Sequence, residues 1–247
     1  MRKSKLFFYL LSFLFQLFFI FNHVGAVDIT TSTTISTDTT YDSLVVKNGV
    51  TLTVNAVLTV TGDATIENGG IITHSVGSST NFNLLVGGTL NINPTGSINM
   101  SEKGHSTTGR SSNAYAGASH GGYGGSGASL TPYGDVYNPI TVGSYGRSYN
   151  GGGLARMTVG NLINNGSILA NAGNYSTSQA LGAGGSINIT VNGNLSGTGI
   201  YQANGGYYSA YPYYAGGGGR IAIKYNSASD INTLKNNVSA KGSGYAG

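Results

Sequence analysis

Along most of the chain, apolar residues alternate with small or polar ones. Ile187, Ile189 and Val191 are separated by single residues, as are Ile221 and Ile223. A period of two predicts strands with one buried face, and no stretch of the mature chain shows helical spacing. Shorter pieces with the same character follow one another in the first half, at 43–46, 50–54, 57–60, 64–66 and 70–73, then at 84–86, 89–92 and 96–100. Gly and Asn-Gly steps divide the strands. A positive φ is expected at such steps, because Gly or Asn adopts it at least steric cost.

The pattern repeats. Gly152-Gly153, Gly184-Gly185 and Gly218-Gly219 each open a unit, 32 and then 34 residues apart, and each is followed by alternating apolar positions and a shorter second strand. A period of 20 to 50 residues marks a solenoid, propeller or array. The corners are too short for crossover helices, so each strand can pair with its equivalent one round later, at about 4.8 Å. The expected fold is all-β: a right-handed parallel β-helix, or β-solenoid, with about three short strands and one long Gly/Tyr-rich loop per repeat. Asn-Gly is also a hairpin signal, so an antiparallel sheet is the structural alternative.

The expected organisation is a signal peptide at 1–26, a Thr/Ser-rich N-terminal strand or cap at 27–42, and β-helix repeats over 43–247. A Gly/Ser/Tyr-rich insertion interrupts the repeats at 104–151, and the array is expected to be cut short at its C-terminus. The leader is read from Arg2, Lys3 and Lys5, the apolar run at 6–21 and the small residues Val24-Gly25-Ala26. Its removal is expected to leave the protein outside the cell or on its surface, with no stable membrane span; a retained membrane anchor is the competing reading of the same apolar run. It also leaves nine basic and eight acidic residues, so the computed pI of 9.2 does not point to nucleic acid. With no Cys, stability must come from burial and backbone hydrogen bonds, and thiol nucleophiles and Cys-based zinc sites are excluded.

Tyrosine is the distinctive side chain. Tyr115, Tyr123, Tyr133, Tyr137, Tyr207, Tyr208, Tyr211, Tyr213 and Tyr214 fall in the long loops, where phenol rings offer an apolar face and a hydroxyl to a ligand. They are the expected ligand contacts; packing against glycine backbones is the other use such rings have. No catalytic, cofactor or metal residues are assigned. His74, His105 and His120 lack metal-ligand spacing, and Asp63 and Glu67 form the one close acidic pair of note. Arg156 and Arg220 fall at related repeat positions, as strand decoration.

The units at 184–206 and 218–242 resemble the β-helical repeats of large bacterial surface proteins, similar to filamentous-haemagglutinin-type and autotransporter-passenger adhesins. Two departures are the lack of a two-partner secretion motif and of a C-terminal translocator barrel. The resemblance implies a non-enzymatic structural and adhesive role, with glycans or surface proteins of a host or neighbouring cell as partners. Two alternatives stay open: a carbohydrate-active β-helix lyase or hydrolase, and an ice-binding solenoid suggested by Thr51, Thr53, Thr59 and Thr61.

Overall fold

The computed structural model describes residues 23–77, 82–105, 115–125, 131–147, 149–174 and 179–242. Most of the expected leader, up to residue 22, lies outside the described residues, as do parts of the insertion and the last five residues.

The described chain is nearly all β, and every strand pairing is parallel. The antiparallel alternative is thereby set aside. Strands β1 (His23–Val24), β2 (Val27–Ile29), β4 (Thr39–Tyr41), β5 (Leu44–Val46), β7 (Val57–Val60) and β8 (Ala64–Ile66) join a ten-stranded sheet. The longer β10 (Asn83–Ile92), β12 (Leu154–Asn164), β14 (Ser186–Ser196) and β16 (Arg220–Ala228) continue it. The second sheet has seven strands: β3 (Thr33–Ile35), β6 (Thr51–Val54), β9 (Ile71–Thr73), β11 (Ser97–Asn99), β13 (Ser167–Leu169), β15 (Ile200–Gln202) and β17 (Val238–Ser239). The chain passes from the larger sheet to the smaller and back in each round, and each round pairs with the one before. This is consistent with a parallel β-solenoid. Residues 27–42 contribute strands to both sheets.

Alternation places one side chain of each kind over its equivalent. Leu58, Leu84, Met157 and Ile189 form one column, and Val60, Val86, Val159 and Val191 a second. Leu44, Ala64, Leu90, Leu162 and Leu195 form a third. Leu52, Ile72, Ile98, Ile168 and Tyr201 supply the fourth from the smaller sheet. All of these side chains are buried. Tyr201 takes a position that Ile holds in the three rounds before it, and burial pushes its hydroxyl pKa up to about 12.

Two expectations drawn from Gly and Asn are corrected. The Asn192-Gly193 step does not end a strand: β14 runs through it with a register shift between Val191 and Asn194, a bulge matched near Gly160 and near Gly87-Gly88. Nor does any described Asn adopt a positive φ; that conformation falls to Gly49, Gly69, Gly77, Gly134, Gly197 and Glu102. Asn instead serves the next round. Asn161 Oδ1 accepts from the backbone N–H of Asn194 (2.9 Å), Asn171 Oδ1 from Asn204 (2.8 Å), Asn174 Oδ1 from Tyr207 (2.7 Å) and Asn204 Oδ1 from Lys241 (2.8 Å). Asp38 and Asp63 do the same for Val57 and Thr89. A bend takes corner N–H groups out of the sheet ladder, and a carbonyl or carboxylate oxygen one round away satisfies them.

The glycine pairs have a different cause. A Cβ on Gly152, Gly184 or Gly218 would lie within 3.0 Å of the carbonyl of Ala170, Ala203 or Ala240. A Cβ on Gly185 would strike the backbone of Gly152 and Gly153, and one on Gly219 the backbone of Gly184 and Gly185. These glycines belong to a bundle of extended segments packed beside the sheets. Its centre is 180–185. Leu181 and Gly184 donate to Tyr214 and Gly217 (both 3.0 Å), while Ala180 accepts from Arg147 (2.9 Å) and Ala183 donates to Ser144 (3.0 Å). Gly182 accepts from Gly206 (2.9 Å) and Gly185 donates to Ala170 (2.7 Å). Successive residues thus face different neighbours: 181 and 184 turn to 214–217, 180 and 183 to 144–147, and 182 and 185 to 206 and 170, so the segment takes its backbone hydrogen bonds from other segments and not from itself.

Gly185→Ala is therefore expected to destabilise the protein by about 1–3 kcal/mol or more, since backbone cannot move aside as a side-chain tip can. Gly122→Ala, whose Cβ would meet nothing closer than 3.9 Å, should change stability by less than about 0.5 kcal/mol. Denaturant midpoints of the two variants check this; equal effects would contradict the packing argument.

Candidate functional site

The glycine bundle fixes where the tyrosines stand. Tyr211 N donates to Tyr208 O and Tyr214 N to Tyr211 O (both 3.1 Å), and Pro212–Tyr214 forms a 3-10 turn with Pro at its start. A spacing of three in such a turn stacks side chains on one side, so Tyr208, Tyr211 and Tyr214 line up. The Tyr211 and Tyr214 rings are stacked at 5.6 Å with 17° between planes, and Tyr208 lies 5.8 Å from Tyr211. Tyr213 meets Tyr214 edge-on at 4.6 Å, and Tyr115, from the insertion, reaches Tyr214 at 5.4 Å. Two bundle hydrogen bonds hold this corner down: Leu181 N to Tyr214 O (3.0 Å) and Gly125 N to Ala215 O (2.8 Å).

Five of the nine tyrosines singled out in the sequence thus form one patch. Tyr123, Tyr137 and Tyr207 are exposed but make no ring contact with it among the described residues. Tyr133 is structural: its hydroxyl donates to Val142 O (2.6 Å), lies 2.9 Å from Ser144 Oγ, and is pushed up in pKa by burial. The sequence pattern hid the joining of Tyr115 to the turn at 208–214, since the two lie on loops far apart in the chain. The three-residue spacing around Pro212 was its one local sign.

The insertion is anchored across the larger sheet. Ser186 Oγ donates to Thr141 O (2.6 Å) and Arg220 Nε to Tyr133 O (2.9 Å). His120 sits at the junction, fully buried, with Nδ1 2.6 Å from Gly184 O, Nε2 2.9 Å from Thr141 Oγ1 and its ring 4.8 Å from that of Tyr133. Gly184 O can only accept, so Nδ1 carries the proton and Nε2 accepts from the threonine. His74 is used in the same way, with Nδ1 2.8 Å from Ser75 O and Nε2 accepting from Leu154 N (3.2 Å). Both pKa values are depressed, chiefly by burial. Neither histidine, isolated in sequence, is isolated in the fold.

The remaining sequence candidates separate. Asp63 and Glu67 flank β8: the first caps Thr89 N–H, and the second pairs with Lys47 at 3.1 Å. Asp28 also pairs with Lys47 at 3.1 Å, which ties three successive rounds together. Register corrects the reading of the arginines: Arg156 aligns with Asn188 and Ala222, whereas Arg220 aligns with Ser186 and Leu154, two residues earlier along the strand. Thr51 and Thr53 lie on the smaller sheet and Thr59 on the larger, with Leu85 following Thr59, so the four threonines form no single array. No group of three or more His, Asp or Glu side chains suited to a metal occurs among the described residues.

Set against protein-family models, curated proteins and solved structures, the chain finds no match in any of the three. Its chemistry is therefore read from its own surface. The patch offers ring faces at several angles with hydroxyls around them, which suits an amphipathic partner having apolar faces and polar edges.

The histidine geometry predicts acid sensitivity. Folding holds the pKa of His120 at about 4, below its ordinary 6.5, so the unfolded chain binds a proton that the folded chain refuses. The stabilisation is complete above about pH 6.5 and is lost as pH falls towards 4, by about 3 kcal/mol for a shift of this size. His120→Gln, which has no charge to gain, should lose less stability than the native chain between pH 7.5 and pH 4.5 in urea titrations; an unchanged difference would contradict the assignment.

Proposed function

We propose that this chain is a secreted or cell-surface structural and adhesive protein: a right-handed parallel β-helix whose glycine flank presents tyrosines to glycans or to surface proteins. One observation carries the reading. Tyr115, Tyr208, Tyr211, Tyr213 and Tyr214 cluster on the outside of the molecule, on backbone fixed by hydrogen bonds to the bundle beneath. Large rings at a surface favour water less than association, and rings already held in place lose little conformational entropy on binding. The acidic residues support the same reading. Asp38 and Asp63 cap backbone N–H groups, Asp135 holds a turn, Asp230 caps the short helix Ile231–Asn236, and Asp28 and Glu67 share Lys47. These carboxylates serve the scaffold.

Deleting the whole insertion is a poor test, because Thr141, Tyr133 and His120 help close the larger sheet. Point variants are better. On a glycan array and in pull-downs from cell-surface extracts, the mature chain should retain partners that Tyr211→Ala with Tyr213→Ala releases by tenfold or more, as removal of a central aromatic anchor does. Tyr137→Ala, on a separate loop, should stay within about twofold. Retention unaffected by the double substitution, or no partner at all, would overturn the proposal.

A further inference from the structure

The outer face of the larger sheet holds a cleft that the tyrosine patch does not use. Arg156 of β12 lies in register with Asn188 of β14 and Ala222 of β16, and Thr158 with Thr190 and Lys224. Arg156 and Lys224 are thus two strands and two residues apart, about 12 Å between Cα atoms from strand spacing and rise. Two long side chains at that separation can lean over the shorter Asn188 and Thr190 between them. They border a cavity of about 250 Å³ that Asn83 and Asn138 complete. Asn138 is fixed from two sides: its Oδ1 accepts from Asn188 Nδ2 (2.8 Å), and its N–H donates to Asp135 Oδ1 (2.8 Å).

The charges here are unbalanced. Neither Arg156 nor Lys224 is ion-paired among the described residues, and no carboxylate borders the cavity. Asp135 is the acidic group whose field reaches Lys224. Its carboxylate is held below its ordinary pKa first by the N–H groups of Asn138 and Tyr137, and more weakly by Arg220 and Lys224. Arg156 Nε is shut off from solvent without a hydrogen-bond partner. That nitrogen, being shut off, lies out of reach of a ligand in the cavity; the two cations around the cavity repel, and an anion between them removes that penalty.

We infer that this cleft is an oxyanion-binding site, taking one carboxylate, sulfate or phosphate group between the Arg156 guanidinium and the Lys224 ammonium, with the hydroxyls of Thr158 and Thr190 as further donors. The planar guanidinium matches two oxygens of such a group at once. The cavity is smaller than the roughly 300–1,000 Å³ typical of sites that engulf a whole ligand, so it admits the anionic group and little of the molecule that bears it.

Calorimetric titration of the mature chain at low ionic strength tests the site, with sodium sulfate, phosphate, acetate and glucuronate as probes and chloride as the reference. At least one probe should bind with a Kd on the order of 1 mM. Lys224→Gln, at an exposed position, should weaken it about fivefold with the fold intact, and Arg156→Gln should weaken it more than Arg156→Lys. Tighter binding of sulfate and phosphate would assign the site to ester oxyanions, and tighter binding of acetate and glucuronate to carboxylates. No probe bound above chloride, or binding indifferent to Lys224→Gln, would overturn the inference. Tyr211→Ala should leave anion binding unchanged, so failure of this site and failure of the tyrosine patch are told apart.

Discussion

Every backbone N–H that leaves a parallel sheet at a corner needs an acceptor, and this fold has no disulfides or helical bundle to lessen the loss if it fails. Two devices meet the need. At the tight corners an Asn or Asp oxygen from a neighbouring round accepts the bond, as Asn171 does for Asn204. Where the chain travels farther between the sheets, the extended segments turn to one another and share their bonds around 180–185. The second device works only if the backbones touch, which is why glycine recurs there. The apolar columns supply the burial, but the close approach of peptide groups decides which residues can stand beside them.

That constraint also shapes the surface. A flank made of glycine has few side chains of its own, so what it presents comes from turns at its margin, and the turn at Tyr208 to Tyr214 is anchored through Tyr214 and Ala215. The insertion is pinned to β14 and β16 by Thr141 and Tyr133. The tyrosine patch and the core therefore depend on the same backbone contacts. Buried, neutral His120 joins the two, since it holds Gly184 of the bundle and Thr141 of the insertion at once.

Much of the fold was legible because a strand repeats every two residues and a round repeats at nearly constant length. Ile187, Ile189 and Val191 declare an inward face without any knowledge of neighbours, and the glycine pairs mark the rounds. The purpose of those glycines was not legible, because positive φ and close approach select the same residue. Only the structure separates Gly49, at φ 71° with open space where a Cβ would stand, from Gly185, which has another backbone against it. Asn was misread for a similar reason: a turn former and an acceptor for the next round look alike in one dimension. The tyrosine patch was half visible, as residue type without grouping. The cleft on the larger sheet was invisible, since Arg156 and Lys224 come to border one cavity only after register places Thr158, Thr190 and Lys224 in one file.

Native-state hydrogen exchange followed by NMR addresses the shared-backbone claim most directly. The amides of Gly143, Gly152, Ala183, Gly184 and Gly217 should exchange with protection comparable to that of Ile187, Ile189 and Val191 in β14, because all of them are released only when the stack itself opens. Exchange of the glycine-bundle amides at the rate of unprotected loops, with β14 still protected, would show the bundle to be a covering on the sheets and not part of what holds them together.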